Sequence, residues 1–134
     1  MKRISSLLAV AVAVACSEAF QPTIDNVMGD YTARTFTATD TSGTTDLLKA
    51  GAVFTLSLAL DDTTFGYLYV PAAVAGGTEL IADMAGNWTL TNGQVHVSQD
   101  VDTFVRDMPF VAGNRRLEGD KTFSGVRVRV VLTK

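Results

Sequence analysis

Apolar and polar residues alternate along most of the chain from residue 31 onward. Residues 53–60 are the clearest case, with Phe54, Leu56, Leu58 and Leu60 on one face and Thr55, Ser57 and Ala59 on the other. A period of two is that of a half-buried strand. Residues 126–133 repeat it, placing Val126, Val128, Val130 and Leu132 opposite Arg127, Arg129 and Val131. Between these runs the chain is rich in Thr, Val, Phe and Tyr and is interrupted by turn residues at short intervals, a rhythm expected of all-β folds. Strands are predicted at 31–40, 53–60, 65–70, 78–84, 88–91, 94–98, 108–112, 115–118 and 126–133. Asn92-Gly93 and Gly113-Asn114 are hairpin turns on this reading. Residues 45–51 suit one helical turn stopped by Gly51. Residues 72–77 form a loop of small residues, and a second loop covers 119–125.

Eight or nine short strands joined mostly by tight turns make antiparallel neighbours. An open sheet of that size leaves long edges bare, which closure removes. The expected fold is therefore all-β, a compact up-and-down antiparallel barrel of about eight strands, with a two-sheet β-sandwich as the alternative. An eight-stranded barrel has room for its own side chains or for one small ligand.

The N-terminus follows a different pattern. Met1-Lys2-Arg3 precedes an uncharged, largely apolar run to Ala15, and the single cysteine, Cys16, follows directly. Two basic residues, a short apolar segment and small residues before the junction read as a secretory signal peptide. The run falls short of the ~20 residues a membrane-spanning helix needs. Ala13-Val14-Ala15-Cys16 resembles the lipobox of bacterial lipoproteins, although Ala13 stands where that family prefers Leu. The resemblance implies diacylation of Cys16 and cleavage before it. Ser17, rather than Asp, after the cysteine implies onward sorting to the outer membrane. Ordinary secretion, with cleavage after Ala13-x-Ala15 and a free thiol at Cys16, is the other reading. The expected organisation is a cleaved signal at 1–15, a lipidated cysteine and tether at 16–28, and a barrel at 29–134. The anchored domain would face the periplasm or the cell surface.

Charge narrows the partners. Once Lys2 and Arg3 are removed, nine basic residues stand against fourteen acidic ones. Nucleic acid calls for a clustered basic face, so none is expected as a partner. Membrane attachment would rest on the acyl chains alone, two of which suffice for stable anchoring. With one cysteine no internal disulfide forms.

Signals for catalysis are weak, and the chain reads as a non-enzyme without a cofactor. His96, the sole histidine, lies between Val95 and Val97 on the polar side of its strand. No nucleophile elbow and no phosphate-cradling glycine loop occurs. A single histidine leaves zinc without a ligand set. Asp61-Asp62 and Asp100-x-Asp102 read as turn residues rather than as a metal site.

Two segments share a different pattern. Gly29-Asp30-Tyr31-Thr32 and Gly86-Asn87-Trp88-Thr89 both set a glycine, a short polar residue and an aromatic at a strand entrance. A glycine lets the backbone turn tightly while the aromatic plugs the barrel floor. Here the chain resembles the lipocalin-like (calycin) superfamily, whose fingerprint is Gly-x-Trp in the first strand, and within it the small bacterial lipocalin-like lipoproteins. The resemblance spans about residues 29–133. Tyr31 stands where the family has Trp, and the true Gly-x-Trp falls mid-chain. The family also sets a basic residue of the last strand against the aromatic. Arg127 and Arg129 are the candidates here, though alternation points both away from the Val126/Val128/Val130 face.

The resemblance implies a small hydrophobic ligand inside the barrel. Candidate lining residues are Phe54, Leu56, Leu58, Trp88, Leu90, Arg106, Met108 and Phe110. Strand parity over 104–110 would place Arg106 on the same face as Phe104, Met108 and Phe110, as a carboxylate anchor. A bulge at Pro109, or pairing with Asp102 or Asp107, would turn it outward, and this is the favoured reading. The competing function is a structural or interaction module of the cell envelope with a filled core. In that case Phe65, Tyr67 and Tyr69 form an outer contact patch, provided Leu68 and Val70 face inward.

Overall fold

A computed structural model describes residues 19–134; Cys16 and the expected signal segment lie outside the described residues. Nine strands are present among the described residues: β1 (Gly29–Asp40), β2 (Gly43–Asp46), β3 (Val53–Leu58), β4 (Thr63–Val70), β5 (Leu80–Thr91), β6 (Gln94–Gln99), β7 (Phe110–Gly113), β8 (Arg116–Phe123) and β9 (Val126–Thr133). Two single-turn helices join them, α1 (Ile24–Val27) and α2 (Phe104–Asp107). Every pairing is antiparallel, and β9 returns to β1. Eight strands thus close into an up-and-down barrel, the lipocalin-like architecture, and β2 is an extra strand folded back on β1. The closed ring, rather than two facing sheets, decides against the sandwich.

The 12-residue β1 makes this possible by changing partners along one edge. Residues 29–32 pair with β3 and residues 37–40 with β2, while the opposite edge pairs with β9 across an irregularity between Ala33 and Thr35. Strand β5 is equally long and pairs with β4 over its first part and β6 over its last. The two strands expected at 78–84 and 88–91 are therefore one, because nothing between them breaks the ladder. Local chemistry sets the turns. Asn92 and Gly93 both take positive φ, 52° and 74°, as do Ser124 and Gly125 at 48° and 83°, giving the mirror-image turns that match strand twist. The loop expected at 119–125 shrinks to that second turn. The hairpin expected at Gly113-Asn114 turns one residue later, at Asn114-Arg115.

Other sequence expectations shift for physical reasons. Residues 43–46 extend the β1 hairpin, so the turn expected at 45–51 begins only at Leu47, where its amide donates to Phe36 O. Leu60 lies beyond the end of β3 and is 60% exposed. Asp61 caps the β3–β4 turn, accepting from the amide and hydroxyl of Thr63, and these bonds hold its carboxyl below the ordinary value.

One end of the barrel is sealed. Part of the segment read as a tether forms α1, capped reciprocally by Thr23 and Asn26, with Val27 buried. Tyr31 is buried, and its hydroxyl donates to Val27 O. Lys134 Nζ donates to the carbonyls of Asn26 and Met28 and lies 5.5 Å from the Tyr31 ring centre. The basic residue set against the first-strand aromatic is therefore Lys134, not Arg127 or Arg129. Those two pair on the outer surface with Asp120 and Glu118. Trp88 completes the seal, its indole N–H donating to Ala59 O and its backbone N–H to Asp62 O.

Burial pushes the Tyr31 phenol up to about 12, against a weaker opposing pull from Arg115. The folded value exceeds the unfolded one, so this group's contribution to stability is complete below about pH 10 and is lost as pH rises toward 12. Lys134 is pushed down by its own burial and then by Arg115, and so titrates in the opposite sense. Phenolate absorbance separates the two: Tyr31→Phe should delete the step near pH 12. Loss of a step near pH 10 instead would mean that Tyr31 is not sealed from water.

Candidate ligand site at the mouth of the barrel

The opposite end is open and is built from connections rather than strands. The β4–β5 connection rises beside it, with Gly76 and Gly77 at φ of 82° and 101°. The 47–52 turn adjoins it where Gly51 faces Pro71, and is folded by a bond from the Ala52 amide to Leu47 O. Helix α2 fills part of the opening from a third side. Residues 104–107 are helical, so the strand parity expected over 104–110 does not apply. Val105 and Met108 point into the core and are fully buried. Gly119 makes room for Met108, because a Cβ there would overlap its sulfur.

A cavity of about 430 Å³ lies between these pieces. Phe36, Leu47, Val70, Leu80, Phe104 and Val128 form its apolar wall. Ala75, Thr78 and Glu79 border it on the side of the β4–β5 connection. Its volume is on the scale of about 300–1,000 Å³ usual for small-molecule pockets. Phe104 forms the base, its ring 5.7 Å from Phe36, 5.9 Å from Phe54 and 6.3 Å from Phe123 between centres. These separations suit tilted and edge-on aromatic contacts.

Below this base the interior is filled. Of the residues expected to line a ligand, Phe54, Leu56, Leu58, Trp88, Met108 and Phe110 are buried in the core, and Leu90 is half-buried against it. None of the eight lines the mouth cavity. Arg106 points to solvent and pairs with Asp102 at 2.8 Å and Asp107 at 3.5 Å. Asp107 and Asp102 hold its guanidinium above its ordinary value. Lys121 fastens the same turn from outside, donating to Asp107 O and covering the Phe123 ring.

Alternation does not reveal the mouth residues because most lie where it ends: Leu47 follows β2, Ala75, Thr78 and Glu79 are in a connection, and Phe104 is in a helical turn. The available signal was the small-residue run at 72–77, which cannot pack a core by itself and so must edge an opening.

Outside the barrel, Leu68 and Val70 face inward and Phe65, Tyr67 and Tyr69 outward. Phe65 is 58% exposed, and Val53 and Ile81 flank Tyr69 in the ladder. His96 is exposed on its strand. Comparison with known protein families, with curated proteins and with solved structures finds no match to this chain.

Proposed function

We propose that this chain is a non-catalytic, lipocalin-like binding module that takes up one small hydrophobic molecule at the open end of its barrel. The observation that carries this reading is the apolar cavity of about 430 Å³ seated on Phe104. A structural plug would close such a space, since packed interiors leave few voids larger than a water molecule. The N-terminal pattern supports an exported bacterial envelope protein, lipidated at Cys16, attached to the outer membrane through that lipid and facing the periplasm or cell surface. The excess of acidic residues argues against a nucleic-acid partner.

The neutral fluorescent probe N-phenyl-1-naphthylamine tests the cavity. Saturable one-to-one binding is expected. Ala75→Trp should weaken it by about tenfold, roughly 1.4 kcal/mol, with the melting temperature unchanged. Binding that does not saturate removes the carrier reading, and binding indifferent to Ala75→Trp places the ligand elsewhere. Trp88 is a poor reporter because it lies at the sealed end.

The alternative is a structural or interaction module. It draws on the filled floor and on the outward row of Val53, Phe65, Tyr67, Tyr69 and Ile81, an apolar face of the sort that marks contact surfaces.

A further inference from the structure

We infer that the mouth selects amphiphiles with a cationic or neutral hydrogen-bonding head and rejects carboxylates; this rests on the mouth cavity being the ligand site. Among the described residues, the only ionisable one bordering the cavity is Glu79. It forms no ion pair among the described residues. Thr78, its neighbour in the chain, borders the cavity as well. A ligand whose tail lies against Phe36 and Phe104 would carry its head toward the exposed Thr78 and Glu79 at the border of the cavity.

Three cations of this end of the barrel are occupied elsewhere. Arg106 pairs with Asp102 and Asp107, Arg127 with Asp120, and Lys121 is turned to Asp107 O and the Phe123 ring. Lys49, in the 47–52 turn, does not border the cavity. Asp40, Asp46 and Asp100 stand on the same end of the barrel without an ion pair among the described residues. A fatty acid would thus carry its carboxylate into a site that holds a like charge and no counter-charge, and like charges at such distances disfavour each other. An alkylamine would gain the pairing that Glu79 lacks.

Displacement of N-phenyl-1-naphthylamine by decylamine, decanol and decanoate at pH 7, below micelle formation, tests this. Decylamine is expected to compete about three- to fivefold better than decanol, the range an exposed ion pair supports, and decanoate to compete worst. Glu79→Gln, at an exposed connection, should bring decylamine level with decanol while probe binding persists. Probe displacement by decanoate as strong as by decylamine, or an amine preference unchanged in Glu79→Gln, overturns the head-group selection while leaving the cavity as a binding site. Failure of the probe to bind at all overturns both.

Discussion

Trp88→Ala is expected to lower the stability of the barrel by about 3–5 kcal/mol, the usual range for removing a large aromatic from a core. Two losses combine. The ring is 1% exposed, so its removal leaves a void that the neighbouring strands cannot close without abandoning their ladders. The Ala59 carbonyl also loses its indole donor, which binds at 2.8 Å and ties β5 to the β3–β4 turn. Trp88→Phe separates the contributions, since it keeps most of the apolar volume and removes only the donor. It should cost about 0.5–1.5 kcal/mol, the net worth of one hydrogen bond, because the half-buried Ala59 carbonyl keeps the Asp62 amide as a donor. Chemical denaturation followed by far-ultraviolet circular dichroism gives both numbers. An alanine variant within 1 kcal/mol of the parent would show that the floor does not depend on this ring.

Gly86→Ala, two residues earlier, is expected to do comparable damage through a single methyl group. A Cβ at this position would overlap the backbone oxygen of Ser98 and lie 2.8 Å from the Cα of Gln99. These are backbone atoms of β6, held by their own pairing with β5, so no rotamer change relieves the contact. Overpacking costs typically about 1–3 kcal/mol and more where the neighbours cannot move, and about 3 kcal/mol or above is expected here. Amide exchange should rise first in β6, where the strands must part. Ala85→Ser, at an exposed neighbouring position, is the control and should be near neutral. A well-folded, undiminished Gly86→Ala protein would mean that the approach of β6 is looser than drawn.

The two glycine–aromatic segments show what was legible in the sequence and what was not. Their pattern suggested a glycine that lets the chain turn and an aromatic that plugs, and both aromatics are indeed buried. The glycines serve different ends, however. Gly29 has φ of 141°, a conformation other residues rarely adopt, and its nearest neighbour is the flexible side chain of Lys134. Gly86 has no such dihedral and is required by the backbone beside it. One spacing hides two physical causes, because a sequence does not state how closely two strands approach.

Strands were readable wherever one face is buried and the other is not, as in β3 and β4. Closure was readable as the economical solution to exposed edges. The floor partner was not readable from alternation, because Lys134 acts from beyond the last strand, where face and period lose meaning. The outward reading of Arg106 holds, through its pairing with Asp102 and Asp107, but what turns it is a four-residue helix between Thr103 and Met108, which strand parity does not foresee. The candidate site suffered most. Its wall comes from one strand residue here and one loop residue there, brought together only by the closing of the ring.

The seal between Lys134 and the carbonyl of Met28 joins residues 106 positions apart, and Arg34 meets Thr133 across 99. Nothing that precedes β9 can stand in for it, because β1 and β8 both depend on it for their outer edge. A ribosome-bound chain that has produced β1 to β8 therefore holds a sheet with two bare edges and an unsealed floor. Such long-range pairing is slow to form, since the chain entropy is lost before the contacts repay it. The barrel should consequently fold only after β9 has been synthesised, in one late cooperative step rather than progressively from its N-terminus.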